Sequence, residues 1–488
     1  MYMKALRVLF IASELNPLAK VGGLADVIGA LPKALKKQGV DVRIMIPKYS
    51  MIDPKQYPMQ RIARRIPVRL YNRTYLVNVF TTKLPGTSIT VYLIDQKDFF
   101  ADGGVYYSKT ALVGTFKEIE RFLFFGRAAL ESLPHLGWKP DILHCNDWHT
   151  AFIPVWLKTI YCCHHPFYAS LRTLYTIHNL ANQGIGDLKL LKVANVSTRA
   201  LPSLERDARN NDIDLMVQGI LTSDAINTVS PTYVKEILTP EYGERLDPVL
   251  KLRQRDLYGI LNGIDTDVFN PSTDVHIRQR YSVKSFEQKQ INKAALQQMC
   301  GFHVDPRVPV FGMVSRLTHQ KGFDLLIKLR KELIKLPMQL VILGTGDATI
   351  EKALVALSKR SSRTMCIFLK FDAKLAQMIY AGSDFFLMPS RFEPCGLGQM
   401  IAMRYGTPPV VRSTGGLADT VRHLKTGVVF HDYAAKALLA ALHTAIRIYH
   451  NPHVYTALAK AGMRQDLSWG SSAQVYMRLY RKLLASHS

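Results

Sequence analysis

The residues best suited to chemistry in this 488-residue chain stand just after short apolar runs. Arg316 and Lys321, in VSRLTHQKG, place two cations five positions apart. Thr414, Gly415 and Gly416 open a helical pattern in STGGLADTV. Two cations and a glycine-rich helix start suit a diphosphate, because the first amides of a helix are unpaired and point outward. Lys20 beside Gly22 and Gly23 repeats the combination near the start of the chain, between an apolar run and a helical one. A tight turn would explain the two glycines. A cradle for an anion explains the lysine as well.

Other polar residues share this placement. They are Glu14 and Asn16 after the first run, Asn146, Asp147, Trp148 and His149 after DILHC, and His178 and Asn179 after TLYTI. Later come Gly344, Gly346 and Asp347 in LGTGD, then Arg391 and Glu393 in MPSRFEPCGLGQM. Taken singly each has an ordinary explanation. His178 would be a satisfied buried histidine, the cations would be solvated, and Glu393 before Pro394 would favour a helix N-terminus. Their common position at strand ends is what joins them. Neither a GxxxxGK[ST] loop nor a GxGxxG after the first run occurs, so the usual NTPase and dinucleotide signatures are missing. Cys162, Cys163, His164 and His165 are adjacent, whereas zinc sites use wider spacings, so no metal is expected there.

Composition sets bounds. Hydrophobic residues make up 48% of the chain, enough for large cores, and the length allows about three domains. No run of about 18 apolar residues indicates a membrane span. MYMKALRVLFIAS reads as a first core strand rather than a signal peptide, and the six cysteines read as reduced thiols, so a cytoplasmic protein is expected. The 63 Lys and Arg exceed 38 Asp and Glu, giving a net charge of +25. Nucleic acid would reward that charge, but the cations are dispersed without a basic block or an aromatic-basic motif. A solvated basic surface and an anionic substrate remain as explanations.

The elements that must position these residues follow from the apolar runs. Strands are expected at 7–13, 41–47, 89–95, 141–147, 173–179 and 225–230. A second series is expected at 308–316, 340–347, 365–371, 384–390, 408–413 and 427–432. The runs are continuous rather than alternating, as in parallel strands buried on both faces, with helical stretches between them. After the first turn Leu24, Val27, Ile28, Leu31 and Leu35 share one helical face; Pro32 is expected to kink that helix and Gly39 to end it. The stretch 253–274, with its NG and NP turns, reads as a linker. The expectation is an α/β protein of two Rossmann-like domains with parallel sheets facing across a deep cleft. The boundaries are 1–257, 258–467 and a final helix at 468–488. Ligands in such sheets bind beyond the carboxyl ends of the strands.

These motifs in this order resemble one family. KVGGLADVIGALPKAL, LHCNDWHT, TIHNLANQG, VSPTY, LNGID, VSRLTHQKG, SRFEPCGLGQM and TGGLADTV are similar to segments of bacterial glycogen synthases and plant starch synthases, from about residue 7 to 480. The resemblance implies a metal-independent, retaining glucosyltransferase of the GT-B fold. It would move glucose from ADP-glucose, a substrate rather than a cofactor, to the 4-OH at the non-reducing end of an α-1,4-glucan such as glycogen. It implies that Lys20 and the Gly22–Gly23 amides face the diphosphate, and that Arg316 and Lys321 neutralise it as it leaves. Glu393 would hold the glucose hydroxyls, and His178 would contact the sugar near the reacting centre. Asp147 and Asn262 would line the cleft, and the Thr414–Gly415–Gly416 helix start would contact phosphate and glucose. The last helix would return to the first domain.

The chain also departs from the family. Phe371 stands where relatives carry a tyrosine thought to stack on adenine; stacking survives, a hydroxyl contact does not. Val217 stands where many relatives have lysine, Ile401 where the wider superfamily often has a second Glu, and 184–212 aligns poorly. Three rivals stay open: a related transferase using UDP-glucose or a glucose 1-phosphate acceptor, a non-catalytic glucan-binding relative, and, on charge alone, a nucleic-acid binder.

Overall fold

A computed structural model describes residues 5–101, 104–106 and 115–485. Apolar runs long enough to be buried on both faces form the strands. Val8 to Ile11 have no exposed surface and lie in β1 (Arg7–Ile11). The strands that follow are β2 (Asp41–Pro47), β3 (Gln60–Leu70), β4 (Arg73–Lys83), β5 (Thr90–Asp95), β6 (Ile142–Asn146) and β7 (Arg172–Ile177). Next come β8 (Ile185–Asp187), β9 (Asp212–Asp214), β10 (Ala225–Thr228) and β11 (Leu257–Gly259). The second series is β12 (Val310–Val314), β13 (Gln339–Leu343), β14 (Met365–Phe368), β15 (Phe385–Met388), β16 (Pro409–Arg412) and β17 (Val428–Phe430). Every strand expected from a continuous apolar run is present.

Two large sheets result, ordered β11-β10-β7-β6-β1-β2-β5-β4-β3 and β14-β13-β12-β15-β16-β17. All pairs in the second are parallel. In the first, β4 joins β5 and β3 joins β4 antiparallel. In the first sheet the chain runs outward from β1 to β2, forms β3 and β4 at the far edge, returns to β5 beside β2, then restarts beside β1 with β6. In the second it runs from β12 through β13 and β14, then restarts beside β12 with β15. Each restart pair is a point where the strand order reverses, and ligands of such sheets usually bind beyond the carboxyl ends of the strands at that point. The polar loops after β1, β6, β12 and β15 stand at these two places.

The chain forms two compact units, each holding one large sheet. Unit 1 comprises the chain up to Val229, Val234–Ile260 and the segment from Trp469; unit 2 comprises Ser230–Tyr233 and Leu261–Ser468. The stretch 253–274 is not a plain linker: β11 within it adds to the edge of the first sheet by pairing with β10, and the chain changes units after Ile260. The β3–β4 hairpin was not expected from sequence. Its outer strand is largely exposed up to Arg65 and alternates buried and exposed residues from Ile66 to Leu70, unlike the continuous runs.

The first helix, Gly23–Lys37, buries Leu24, Val27, Ile28, Leu31 and Leu35 as expected and continues through Pro32. Gly39 adopts φ +87°, and its N–H bonds to Lys36 O at 3.0 Å, closing the helix end. The last described helix, Trp469–Ala485, belongs to unit 1; residues 486–488 lie outside the described set, as do 1–4.

A directed hydrogen-bond chain docks that helix. Tyr480 Oη donates to His144 Nδ1 at 2.8 Å, and His144 Nε2 donates to Thr176 Oγ1. Thr176 donates to Asn227 Oδ1 at 2.6 Å, and Asn227 Nδ2 donates to Tyr476 Oη at 3.0 Å. Burial holds His144 neutral, as this chain requires. Tyr480→Phe would leave His144 Nδ1 buried without a donor, and a loss of about 1–3 kcal/mol is expected. Urea unfolding at neutral pH measures it; an unchanged midpoint would show that the chain does not hold the helix.

Candidate active site

In unit 2 the residues after β12 and β15 meet. Lys321 Nζ bonds Glu393 Oε2 at 2.6 Å, and Ser390 Oγ donates to the same oxygen at 3.0 Å. Glu393 is 4% exposed, so its charge is largely removed from water and depends on these two donors. The segment carrying it is clamped to the next helix start, where Gly416 N–H donates to Glu393 O at 3.1 Å. A Cβ at Gly415, where φ is +43°, would stand 1.9 Å from Glu393 O, and one at Gly416 would stand 2.2 Å from Cys395 O. Only glycine allows that approach of two backbones, so Gly415 and Gly416 are first of all packing residues that hold Glu393 in place. Thr414 is the buried N-cap residue of the helix Gly415–Thr420.

Asn262 is 6% exposed, and its Oδ1 has no hydrogen-bond partner among the described residues. Arg316 lies exposed after β12 and appears in none of the described ion pairs. Phe371, beyond β14, is 78% exposed. Ile401 is buried, so it serves the core where a second carboxylate would otherwise stand. The sequence had also singled out Asp347 and Arg391. Asp347 caps the helix Ala348–Arg360 through Thr349 N and Ile350 N, and Arg391 stacks over Tyr433 at 4.7 Å.

Unit 1 places the residues after β1, β6 and β7 together, with one correction. The turn Lys20–Gly23 does not stand as an open cradle. Glu14 Oε2 accepts Val21 N–H at 2.6 Å and Gly22 N–H at 2.7 Å, and Lys20 Nζ pairs with Asp26 Oδ1 at 2.6 Å. Asn16 Nδ2 also donates to Asp26 Oδ1, at 3.1 Å. Gly23 is different: a Cβ there would meet nothing within 4 Å, so the protein's own packing leaves that position open.

Beside this turn, Asp147 Oδ1 accepts His178 N–H at 2.7 Å, and His178 Nε2 donates to Asn146 Oδ1 at 3.0 Å. Asn146 spends its amide hydrogens on Ile11 O and His144 O, which turns its oxygen to the ring and fixes the Nε2–H tautomer. Trp148 and His149 are buried and stacked at 4.1 Å, and Asn179 caps a local turn at Ala181 N. Sequence reasoning missed Asp26, Ser390 and Tyr106, which donates to Glu14 Oε1. For Asp26 and Ser390 the signal was available, since each adjoins a motif already chosen. For Tyr106 no local signal existed.

Burial pushes the Asp147 carboxyl up to about 7, against the His178 and Asn179 amides, with the Glu14 charge adding to the rise; burial pushes the His178 imidazole down to about 3. Both residues keep a partly exposed edge, where water moderates the effect. For Asp147 the folded value lies above the unfolded one. Its contribution therefore favours the fold below about pH 4 and is lost as pH rises through 7. Asp147→Asn has no such titration. Between pH 5 and 8 the wild-type chain is expected to lose about 1–2 kcal/mol relative to that variant, discounted for exposure. Denaturant unfolding of both at the two pH values tests this, and parallel curves would refute it.

Cys162, Cys163 and His165 each bond to nearby backbone, and the side chain of His164 lies outside the described set. Among the described residues no three His, Cys, Asp or Glu side chains converge as metal ligands, no helix is long and apolar enough to cross a membrane, and the six cysteines are unbridged.

Comparison with known proteins agrees across the whole chain. The family model for the starch synthase catalytic domain matches residues 7–252, and that for glycosyl transferases group 1 matches residues 302–462. The glycogen synthase of Thermotoga maritima is 43% identical over 98% of this chain and 99% of its own length. That of Moorella thermoacetica is 43% identical over 99% and 97%. Among solved structures, the catalytic domain of starch synthase IV from Arabidopsis thaliana, bound to ADP and acarbose, matches with TM-score 0.91 and 33% identity, covering 99% of this chain and 100% of that one. Sucrose-phosphate synthase from Thermosynechococcus elongatus shares the fold, with TM-score 0.62 at 19% identity.

Proposed function

Because the chain belongs to the family of bacterial glycogen synthases and plant starch synthases, and is a glycosyltransferase of the GT-B fold class, we propose that it transfers glucose from ADP-glucose to the 4-OH at the non-reducing end of an α-1,4-glucan, with retention. The observation that carries the reading is the Lys321–Glu393 pair, its carboxylate buried and its cation partly exposed, at the β12–β15 restart. A chain kept only for binding glucan has no need of a cation fixed at 2.6 Å from a carboxylate beyond those strands.

The roles follow from charge. Breaking the anomeric bond leaves positive character on the sugar and negative charge on the departing diphosphate. Lys321, with the exposed Arg316, meets the diphosphate. Glu393 holds the glucose hydroxyls and faces the electron-poor ring. Donors fixed before the reaction need no reorganisation, and each is worth roughly 10²–10³ in rate. Thr414 and the helix start at Gly415–Gly416 complete the phosphate and glucose contacts. Asn262, whose buried Oδ1 is unmet, lines the site, and Phe371 offers an exposed ring to adenine. Within unit 1, Lys20 and the Gly23 end of the turn suit a phosphate, and His178 and Asp147 suit a sugar. With cations for the leaving group, the reaction runs without a metal or a cofactor, in the cytoplasm.

The test is direct. Purified protein is incubated with labelled ADP-glucose or UDP-glucose, each with glycogen or with glucose 1-phosphate. Label in polymer from ADP-glucose is expected. A phosphorylated disaccharide, or no preference for ADP-glucose, would overturn the assignment.

A further inference from the structure

We propose that Glu14 is a positioning residue of the donor site: its carboxylate is the internal anion that gives the Lys20–Gly23 turn its shape. The proposal rests on the reading that this turn meets the donor diphosphate. Glu14 is 2% exposed. One of its oxygens gathers two successive amides, Val21 N–H at 2.6 Å and Gly22 N–H at 2.7 Å, and the other accepts from Tyr106 Oη.

Two consecutive glycines are among the most mobile backbone a chain can have. No neighbour crowds these two, since a Cβ at Gly22 would meet Glu14 Oε1 only at 3.6 Å and one at Gly23 nothing within 4 Å; Gly23 is already the first residue of the helix Gly23–Lys37, so Gly22 and the turn before it are what remain to be held. The restraint comes from hydrogen bonds to a charged acceptor, which are stronger than those to a neutral one. Glu14 thus does for the backbone what Asp26 does for the Lys20 side chain. With Gly22 N–H committed to Glu14, the donor is left Gly23 and the lysine. A turn already ordered spares the donor the cost of ordering it, and that saving appears as affinity.

The far side of Glu14 is anchored in turn. The buried Arg121 guanidinium donates to Phe99 O at 2.7 Å, Val105 O at 2.8 Å and Gly104 O at 3.0 Å. Gly104 and Val105, the two residues before Tyr106, are thereby held through their carbonyls. The support therefore runs from Arg121 through the Tyr106 hydroxyl to Glu14 and the two amides.

The test uses the full chain with ADP-glucose and glycogen. Glu14→Gln keeps shape and removes charge. It is expected to raise KM for ADP-glucose about tenfold, with kcat within about twofold, KM for glycogen unchanged and the unfolding midpoint retained. Tyr106→Phe removes one hydroxyl and is expected to raise the same KM about threefold, with the double variant no worse than Glu14→Gln alone. It carries the test if Glu14→Gln does not fold. Lys20→Ala is run in parallel. If it raises KM for ADP-glucose and the Glu14 and Tyr106 variants do not, the proposal fails and the donor reading stands. If none of the three changes KM, both fail. A joint fall of kcat, both affinities and the midpoint would reduce Glu14 to a structural residue and overturn the proposal.

Discussion

Glu393→Gln is expected to lower kcat about 10²–10³-fold while KM for ADP-glucose moves much less and the unfolding midpoint stays close to the parent's. Glutamine keeps an oxygen for Lys321 Nζ and Ser390 Oγ, which now bond Glu393 Oε2 at 2.6 and 3.0 Å, so the loop is held. What it loses is the negative charge facing a sugar that becomes electron-poor only as the bond breaks. An interaction made chiefly in the transition state appears in kcat rather than in ground-state binding. Glu393→Ala is a harsher change, because it strands the Lys321 charge and opens a cavity, and it should also destabilise the fold. Near-parental turnover by the glutamine variant, measured with labelled ADP-glucose, would remove Glu393 from the site.

How much of this was legible follows from what each residue depends on. Strands such as β1 and β13, buried on both faces, print a continuous apolar run, and all of that kind were readable. β3 and β4 were not, because an edge hairpin with one wet face needs no such run. That edge also accounts for part of the net charge: Arg61, Arg64, Arg65 and Arg69 are exposed along β3, where charge keeps an unpaired edge from joining another chain. Sequence placed Lys321 and Glu393 after strands but could not say that those strands are neighbours. The restart at β12 and β15 is a property of strand order, which no local pattern encodes. The glycine pairs show the same limit. Gly415–Gly416 and Gly22–Gly23 look alike as text. The first pair is required by the protein's own backbone; in the second, Gly22 is held by a carboxylate eight residues upstream and Gly23 begins the helix. Which glycine is packing and which is turn depends on what approaches it in space.

Replacing Lys321 should produce the second large effect, and in two separable measurements. Lys321→Met is expected to reduce kcat/KM for ADP-glucose about 10²–10³-fold, by removing a fixed cation from the departing diphosphate. It should also cost about 2–4 kcal/mol of stability, since Glu393 would be left buried with only the Ser390 hydroxyl, and breaking such a pair costs more than replacing both members. The double variant Lys321→Met with Glu393→Gln separates the two effects. If the stability loss reflects a stranded carboxylate, the second substitution restores much of it, giving a coupling of about 1–3 kcal/mol in the cycle. Activity should not return with it, because neither the cation for the leaving group nor the charge facing the sugar is present. Lys321→Arg, which keeps the charge on a broader head, should retain part of the rate and most of the stability. Unchanged donor kinetics in Lys321→Met would leave the pair as a structural ion pair alone. Recovery of turnover in the double variant would show that Lys321 acts on the reaction only through Glu393.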